Sequence, residues 1–513
     1  MSSRLKKILL VVLALALLAA GGFTQRSLNE DRKELGLTRL DQPLENMPPV
    51  LAFTTVALGG FRGLISNILW IRANELQDQD KFFEMSQLAE WITKLEPHFT
   101  QVWLVQAWNM AYNISVKFKE NAPGDYTDRW RWVQRGIELL RDEGLKYNPN
   151  DLLIYRELAW FFQHKIGANL DDGHMFYKQQ WVLETSKVFG STNVVSLEAL
   201  AHPTTDDLRQ RAELLRTKFK MDPQIVLDVD KEYGPLDWRM PETYAIYWAH
   251  VGLLRAKEFP DRVKKDDVMT LRRVIYQCMQ IAFQRGRLVP NYFTKSFEYA
   301  PNLALIPKVN AAYEEQMKEQ PDMQANIATG HRNFLRDAIY FLYIHNRIAD
   351  AAKWFKYLGE KYPDKTIIDS DPNSFPRNVT LDEYCVAKLQ EAIGETDQKG
   401  MKNVLEGLVT QSYLSTIMDD DDRAAGFMLL ARKAHDVYES KVTARNGAIN
   451  MPPLADIQQD VLHRMLDPEQ GLPDDMAAHL ATKLGVPLPP RVAKPAPSAN
   501  SGTTNAPAAP RID

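Results

Sequence analysis

Apolar residues recur along this chain with helical spacing. Met85, Leu88, Ala89, Ile92 and Leu95 form one such stripe, placed three or four residues apart as one face of a helix requires. The same reading predicts helices over 64–77, 81–95 and 100–118, a helix beginning near Thr127 and ending near Lys146, and another over 151–167. A weaker pattern covers 181–200. Further helices are predicted over 206–220, 241–257, 266–286 and 308–320, two over 332–362, and three over 381–393, 400–417 and 423–442. No stretch shows strand alternation, so the expected class is all-α.

A short phrase punctuates these runs. It reads Lys94-Leu95-Glu96-Pro97, then Lys146-Tyr147-Asn148-Pro149, then Lys220-Met221-Asp222-Pro223, with a looser copy at Lys361-Tyr362-Pro363. Proline lacks an N–H and disfavours the helical region for the residue before it, so each copy ends one helix and lets the next begin. A recurring helix stop is expected of stacked helical hairpins.

The clearest unit runs over about 332–363. It carries Ala351, then Phe355 four residues on, then Pro363, with Ala338 or Ile339 as the small residue of the first helix. These positions resemble those of the tetratricopeptide repeat, whose period is about 34 residues. Tyr155, Leu158, Ala159 and Phe162 fall where that family has Trp, Leu, Gly and Tyr. The proline spacings of 52, 74 and 140 residues are not multiples of that period, so the other units are degenerate or interrupted. The resemblance implies a tetratricopeptide-like solenoid of helical hairpins, a right-handed superhelix, whose usual work is to bind other proteins.

The start of the chain changes the picture. Arg4, Lys6 and Lys7 precede an apolar run, and no charge appears between Ile8 and Gln25. Those residues would span roughly 27 Å as a helix, enough for a bilayer. An uncleaved anchor is the expected reading, with the basic residues on the cytoplasmic side and the body facing the periplasm of a bacterial-type cell. The alternative is an exported soluble protein, cleaved at a small-residue site such as Ala20-Gly21-Gly22. A second apolar stretch, 50–71, is interrupted by Arg62 and three glycines and reads as an entry to the first repeat helix. The expected organisation is therefore an anchor over 1–25, a linker over 26–49, the repeat domain over 50–364, a C-terminal helical region over 365–485 and a disordered Pro/Ala-rich tail over 486–513.

Composition narrows the function. The chain is 45% hydrophobic and 25% charged, enough apolar material for a large core. Its net charge of −4 gives no basic stripe for phosphates, which argues against a nucleic-acid partner. Cys278 and Cys385 lie in apolar runs and can build neither a disulfide framework nor a cysteine zinc site. No nucleophile elbow, phosphate loop, dinucleotide fingerprint or HExxH motif occurs, so no catalytic, cofactor or metal residues are assigned. His164, Asp171, Asp172 and His174 lie close together but match no ligand spacing, and Asp171-Asp172-Gly173 reads as a turn. The Asp419–Asp422 run lacks the alternation of a calcium loop and reads as a solvated helix start.

Seven of the eleven tryptophans fall between Trp91 and Trp181. Such a concentration either wedges helices apart in a core or lines a binding surface. In the tetratricopeptide family, the first helix of each hairpin faces the concave groove. Carried over by that resemblance, the groove residues are Trp70, Asn74 and Gln77; then Gln101, Trp108 and Tyr112; then Arg156, Trp160, Gln163 and His164; and last Asn333, Arg336, Tyr340 and Tyr343. Asp237, Trp238 and Arg239 form a second candidate patch on a loop. The expected role is a non-catalytic membrane-anchored scaffold with protein partners. A glycan-binding accessory protein, with the tryptophans as sugar platforms, is the alternative.

Overall fold

The structure, a computed structural model, describes residues 61–489 apart from 192–193, 261–262, 292–295, 394–397, 444–450 and 469, with a few helical residues between Val12 and Asp31. The expected anchor, linker and tail lie almost wholly outside the described residues. Among those described, no helix is long and apolar enough to cross a membrane. The fold is all-α: three quarters of it is helix.

The chain folds as two units. The first includes helices α1 (Phe61–Asp78) and α2 (Phe82–Leu95), the start of α3 (Thr100–Trp108), and residues 146–149. Its core is Ala89, Ile92 and Val102, with Leu69 and Trp70 packed against them. Two copies of the helix-stop phrase meet here. The Pro97 carbonyl accepts hydrogen bonds from Trp103 Nε1 at 2.9 Å and Asn148 Nδ2 at 2.8 Å, and the Trp103 ring stacks on Tyr147. The prolines thus stop their helices and also leave carbonyls that tie neighbouring turns.

The second unit begins within α3. Three of its helices widen into π turns at their C-terminal ends: α3 into Asn109–Ile114, α4 (Thr127–Glu138) into Leu139–Gly144, and α5 (Leu152–Trp160) into Phe161–Ile166. There follow α6 (His174–Phe189), α7 (Leu197–Ala201), α8 (Asp206–Thr217), α9 (Pro223–Tyr233), α10 (Pro241–Glu258) and α11 (Lys265–Arg285). Pro241 and Pro223 sit in first turns, where the missing N–H costs nothing. α10 is the buried axis of this half; it packs on α5 and α11, and Tyr244, Trp248 and Gly252 all face protein.

A β-hairpin comes next, Arg287–Asn291 (β1) paired antiparallel with Ser296–Ala300 (β2). The sequence pattern gives no sign of it, because five residues with a proline at Pro290 are too short to show a period. Then come α12 (Ile306–Glu319), α13 (Gln324–Ile344), α14 (Ile348–Lys361), α15 (Leu381–Ile393), α16 (Gln398–Ile417), α17 (Asp421–Thr443), α18 (Leu454–Leu466) and α19 (Asp474–Leu484). The expected weak helix over 181–200 is in fact split at Gly190 between α6 and α7, and α9 and α18 have no counterpart among the expected helices.

Three helical hairpins close with one turn. Asp80, Asn346 and Asp419 are left-handed, with φ of 58°, 56° and 57°. In each, the N–H of that residue bonds three residues back and the next N–H bonds five back, as in Lys81 to Leu76, Arg347 to Leu342 and Asp420 to Ser415. Asp and Asn tolerate this conformation better than other side chains, so they serve as helix stops where glycine is usual. Within the hairpin of α13 and α14, Ala351 is fully buried and Phe355 lies 5.9 Å from Tyr384 of α15.

Candidate functional site

Helices α3 and α5 each end their α-helical part on a tryptophan. Trp108 is 41% exposed and Trp160 39%, high values for the largest apolar side chain. Four residues on, inside the π turn, each meets a second ring. Trp108 stacks on Tyr112 with centroids 5.3 Å apart and planes 18° apart; Trp160 stacks on His164 at 4.4 Å and 11°. The two pairs are joined, since the Tyr112 hydroxyl lies 3.2 Å from His164 Nδ1. Four of the sequence-predicted groove residues thus form one ladder of rings.

Below the ladder is a built floor. Phe161 meets Tyr112 edge-on at 5.6 Å and is fully buried. Lys165, 3% exposed, holds its ammonium 4.9 Å from the Tyr112 ring and pairs with Asp171 at 2.6 Å. Asp171 also accepts from the Gly173 N–H at 2.8 Å and the Tyr177 hydroxyl at 3.0 Å, with Arg129 at 3.4 Å. Sequence reasoning passed over Arg129, Lys165 and Tyr177. The available signal was a lysine among Phe161, Phe162 and Ile166, because a charge in a buried run needs a partner.

Electrostatics keep both groups at the ladder's junction uncharged. Burial and the Lys165 charge push the His164 imidazole below its usual range, so it is neutral at neutral pH. Burial and Glu157 push the Tyr112 hydroxyl well up, so it stays protonated. Both groups are thus neutral, and they share one hydrogen bond between the Tyr112 hydroxyl and Nδ1. Burial opposes ionisation of Asp171, but the bonds from Lys165, Gly173 and Tyr177 outweigh it and hold the carboxyl below its usual range. The ladder can offer a ligand two flat faces held by stacking, edged by hydrogen-bonding groups.

No family model matches this chain, and no curated protein or solved structure does either.

The other candidate residues are scattered. Arg156 is partly buried beside Glu157, and Gln163 donates to Gln277 of α11 at 3.0 Å. In the first unit, Asn74, Gln77 and Gln101 are exposed, while Trp70 leans on the core with its ring 6.2 Å from Phe99.

Two sets need correction. Of the four candidates in α13, only Asn333 is exposed. Arg336 and Tyr343 are buried, and Tyr340 is partly so. The reason is that α13 packs against α12 and α14 and is also covered by α15 and α17, so no groove-facing side remains at those positions. Arg336 bonds to Asp369 at 2.9 Å and Tyr343 to Asp382 at 2.7 Å. The loop patch is likewise interior. Trp238 is 3% exposed, stacks on Phe189, and donates from Nε1 to Asp230 at 3.0 Å. Arg239 is held by both oxygens of Asp237 and donates to the Ser191 carbonyl. Asp237 also accepts from the Leu288 N–H, so this loop is a brace between α6, α10 and β1.

His164 and His174, weighed as metal ligands, are engaged otherwise: the first stacks on Trp160, and the second lies 3.0 Å from the Lys178 ammonium.

Proposed function

We propose that this chain is a non-catalytic scaffold of helical hairpins, tetratricopeptide-like in design. Its working surface is the ladder of Trp108, Tyr112, His164 and Trp160, and its partner is a segment of another protein. The observation that carries this is the pairing of exposure with rigidity. Two tryptophans stand some 40% exposed, and each is clamped by a second ring. Exposed aromatics mark recognition surfaces, and rings already fixed lose little entropy on binding. The charge-free run of Ile8 to Gln25 supports a membrane tether with the body outside the cytoplasm.

The test is a pulldown from detergent-solubilised membranes with the parent and the Trp108→Ala/Trp160→Ala variant. Discrete proteins retained by the parent and lost by a variant of unchanged fold support the reading. Retention on a polysaccharide resin that disappears in the variant would assign the ladder to glycans instead. Equal capture by parent and variant would remove the ladder from consideration.

A further inference from the structure

Helix α1 is apolar on two sides. On the inner side it packs on α2, and Ala73 and Leu76 of α1 are buried, as are Met85, Ala89 and Ile92 of α2. On the outer side it carries Leu64, Ile68 and Ile71, each more than half exposed. Spacings of four and three residues put these on one stripe. Within 63–71 the one further exposed position is Asn67, also uncharged. The character changes at Arg72: from there to the helix end the exposed positions are Arg72, Asn74, Glu75, Gln77 and Asp78. Helix α2 adds the rings of Phe83 and Trp91, each about half exposed.

A terminal hairpin that faces water needs a polar outer face. The hairpin of α1 and α2 has instead an outer stripe that is apolar over the first half of α1, a pattern that marks an interaction surface. The sequence around the stripe points to what covers it. Between Glu45 and Arg72 the only charge is Arg62. The uncharged chain thus continues upstream of the stripe, toward the charge-free run over 8–25 that is read above as a tether. An arginine is costly at the centre of a bilayer and tolerated at its edge. With Arg62 inside it and a charged second half of α1 after it, this stretch suits a membrane surface and not a span.

We propose that α1 lies against the membrane that holds the tether, with Leu64, Ile68 and Ile71 in the boundary between headgroups and acyl chains and 72–78 in water. This rests on the tether reading. The partner of this face is the lipid surface itself. Because the stripe carries no charge, neutral lipid is enough to bind it.

The test is power-saturation EPR on the full-length chain reconstituted in phosphatidylcholine vesicles, with a spin label at Ile68→Cys or, for comparison, Asn74→Cys. The native cysteines, Cys278 and Cys385, are buried and leave the label to the introduced thiol. Oxygen concentrates in the bilayer, whereas a water-soluble nickel chelate stays outside it. The label at 68 should respond to oxygen over nickel, and the label at 74 to nickel over oxygen. If Ile68→Cys does not fold, Ile71→Cys makes the same test. Nickel access at 68 equal to that at 74 would overturn the proposal, because the stripe would then face water. A label at 68 hidden from both reagents would overturn it too, because protein would then cover the stripe. An alkaline carbonate wash tests the tether separately: release of the chain from the vesicles would overturn the spanning helix, while the order of oxygen and nickel at 68 before the wash still decides the contact.

Discussion

The Tyr112 hydroxyl meets Nδ1 of His164 at 3.2 Å, across 52 residues of sequence. The same displacement separates Trp108 from Trp160, and Pro97 from Pro149. Each tryptophan ends an α-helical stretch, and each partner ring lies in the π turn that follows. The ladder is therefore built by two copies of one local design: a helix stop, an α-helix ending on tryptophan, and a widened turn carrying a second ring. π turns recur at functional sites because the wider turn re-aims side chains.

Trp160 and Trp181 should separate surface from core. Trp160→Ala removes a stacked, half-solvated ring and should cost about 1–2 kcal/mol. Trp181 is 3% exposed and sits edge-on to Tyr244 at 4.8 Å, so Trp181→Ala should cost about 3–5 kcal/mol. Urea unfolding of both variants measures the difference. Equal losses would mean that Trp160 is a structural wedge and not part of a binding surface.

Asp237 is expected to matter for stability alone. Its two oxygens hold the buried Arg239 guanidinium and the Leu288 N–H. Asp237→Ala strands that cation and should cost about 3–5 kcal/mol, more than the worth of the pair itself. A variant that unfolds at the parent's urea midpoint would show that water reaches Arg239.

Helical class and most helix ends were legible in the sequence because prolines and apolar stripes report local geometry directly. Pro97, Pro149 and Pro223 fall at helix boundaries as their chemistry requires. The four rings of the ladder were among the groove residues that the resemblance implied, but the Tyr112–His164 junction that joins them across 52 residues was not legible. What escaped was tertiary covering. Arg336 and Tyr343 have the residue types of a recognition surface, yet α15 and α17 lie across them. Nothing local to α13 announces that. Trp238 and Arg239 misled for a related reason: a loop is normally exposed, but this one is held in by Asp230, Asp237 and Ser191.

Two glycines on neighbouring helices should respond oppositely to alanine. A Cβ at Gly426 would run into the Ile344 carbonyl, where α17 crosses the end of α13. Gly426→Ala should therefore destabilise by about 1–3 kcal/mol despite better helix propensity. Gly407 lies within α16, and a Cβ there meets nothing within 4 Å. Gly407→Ala should stabilise by about 0.5–1 kcal/mol. Thermal unfolding of the two single variants distinguishes them, and a stabilised Gly426→Ala would refute the close crossing.

His331 should make the fold acid-sensitive. Its ring is fully buried against Tyr313, with Nδ1 2.8 Å from the Tyr362 hydroxyl and Nε2 2.8 Å from Asn310 Oδ1. The neutral ring satisfies both contacts: Tyr362 donates to Nδ1, and the Nε2–H donates to Asn310. Burial, aided by the Lys361 charge, lowers its pKa to about 4, against about 6.5 in an unfolded chain. Between those values the unfolded chain binds a proton that the folded chain refuses. Stability must then fall as pH drops from about 6.5 to about 4, and level off below. The gap of about 2.5 pH units corresponds to about 3 kcal/mol. Other buried histidines, His250 and His345, are shifted the same way and add to the slope. Comparing the parent with His331→Gln by urea unfolding at pH 7 and pH 4 isolates this one ring, because the other histidines are common to both. The parent should lose about 3 kcal/mol more than the variant over that interval. Parallel losses in the two proteins would show that His331 is protonated in the folded state, with Tyr362 and Asn310 both accepting from it.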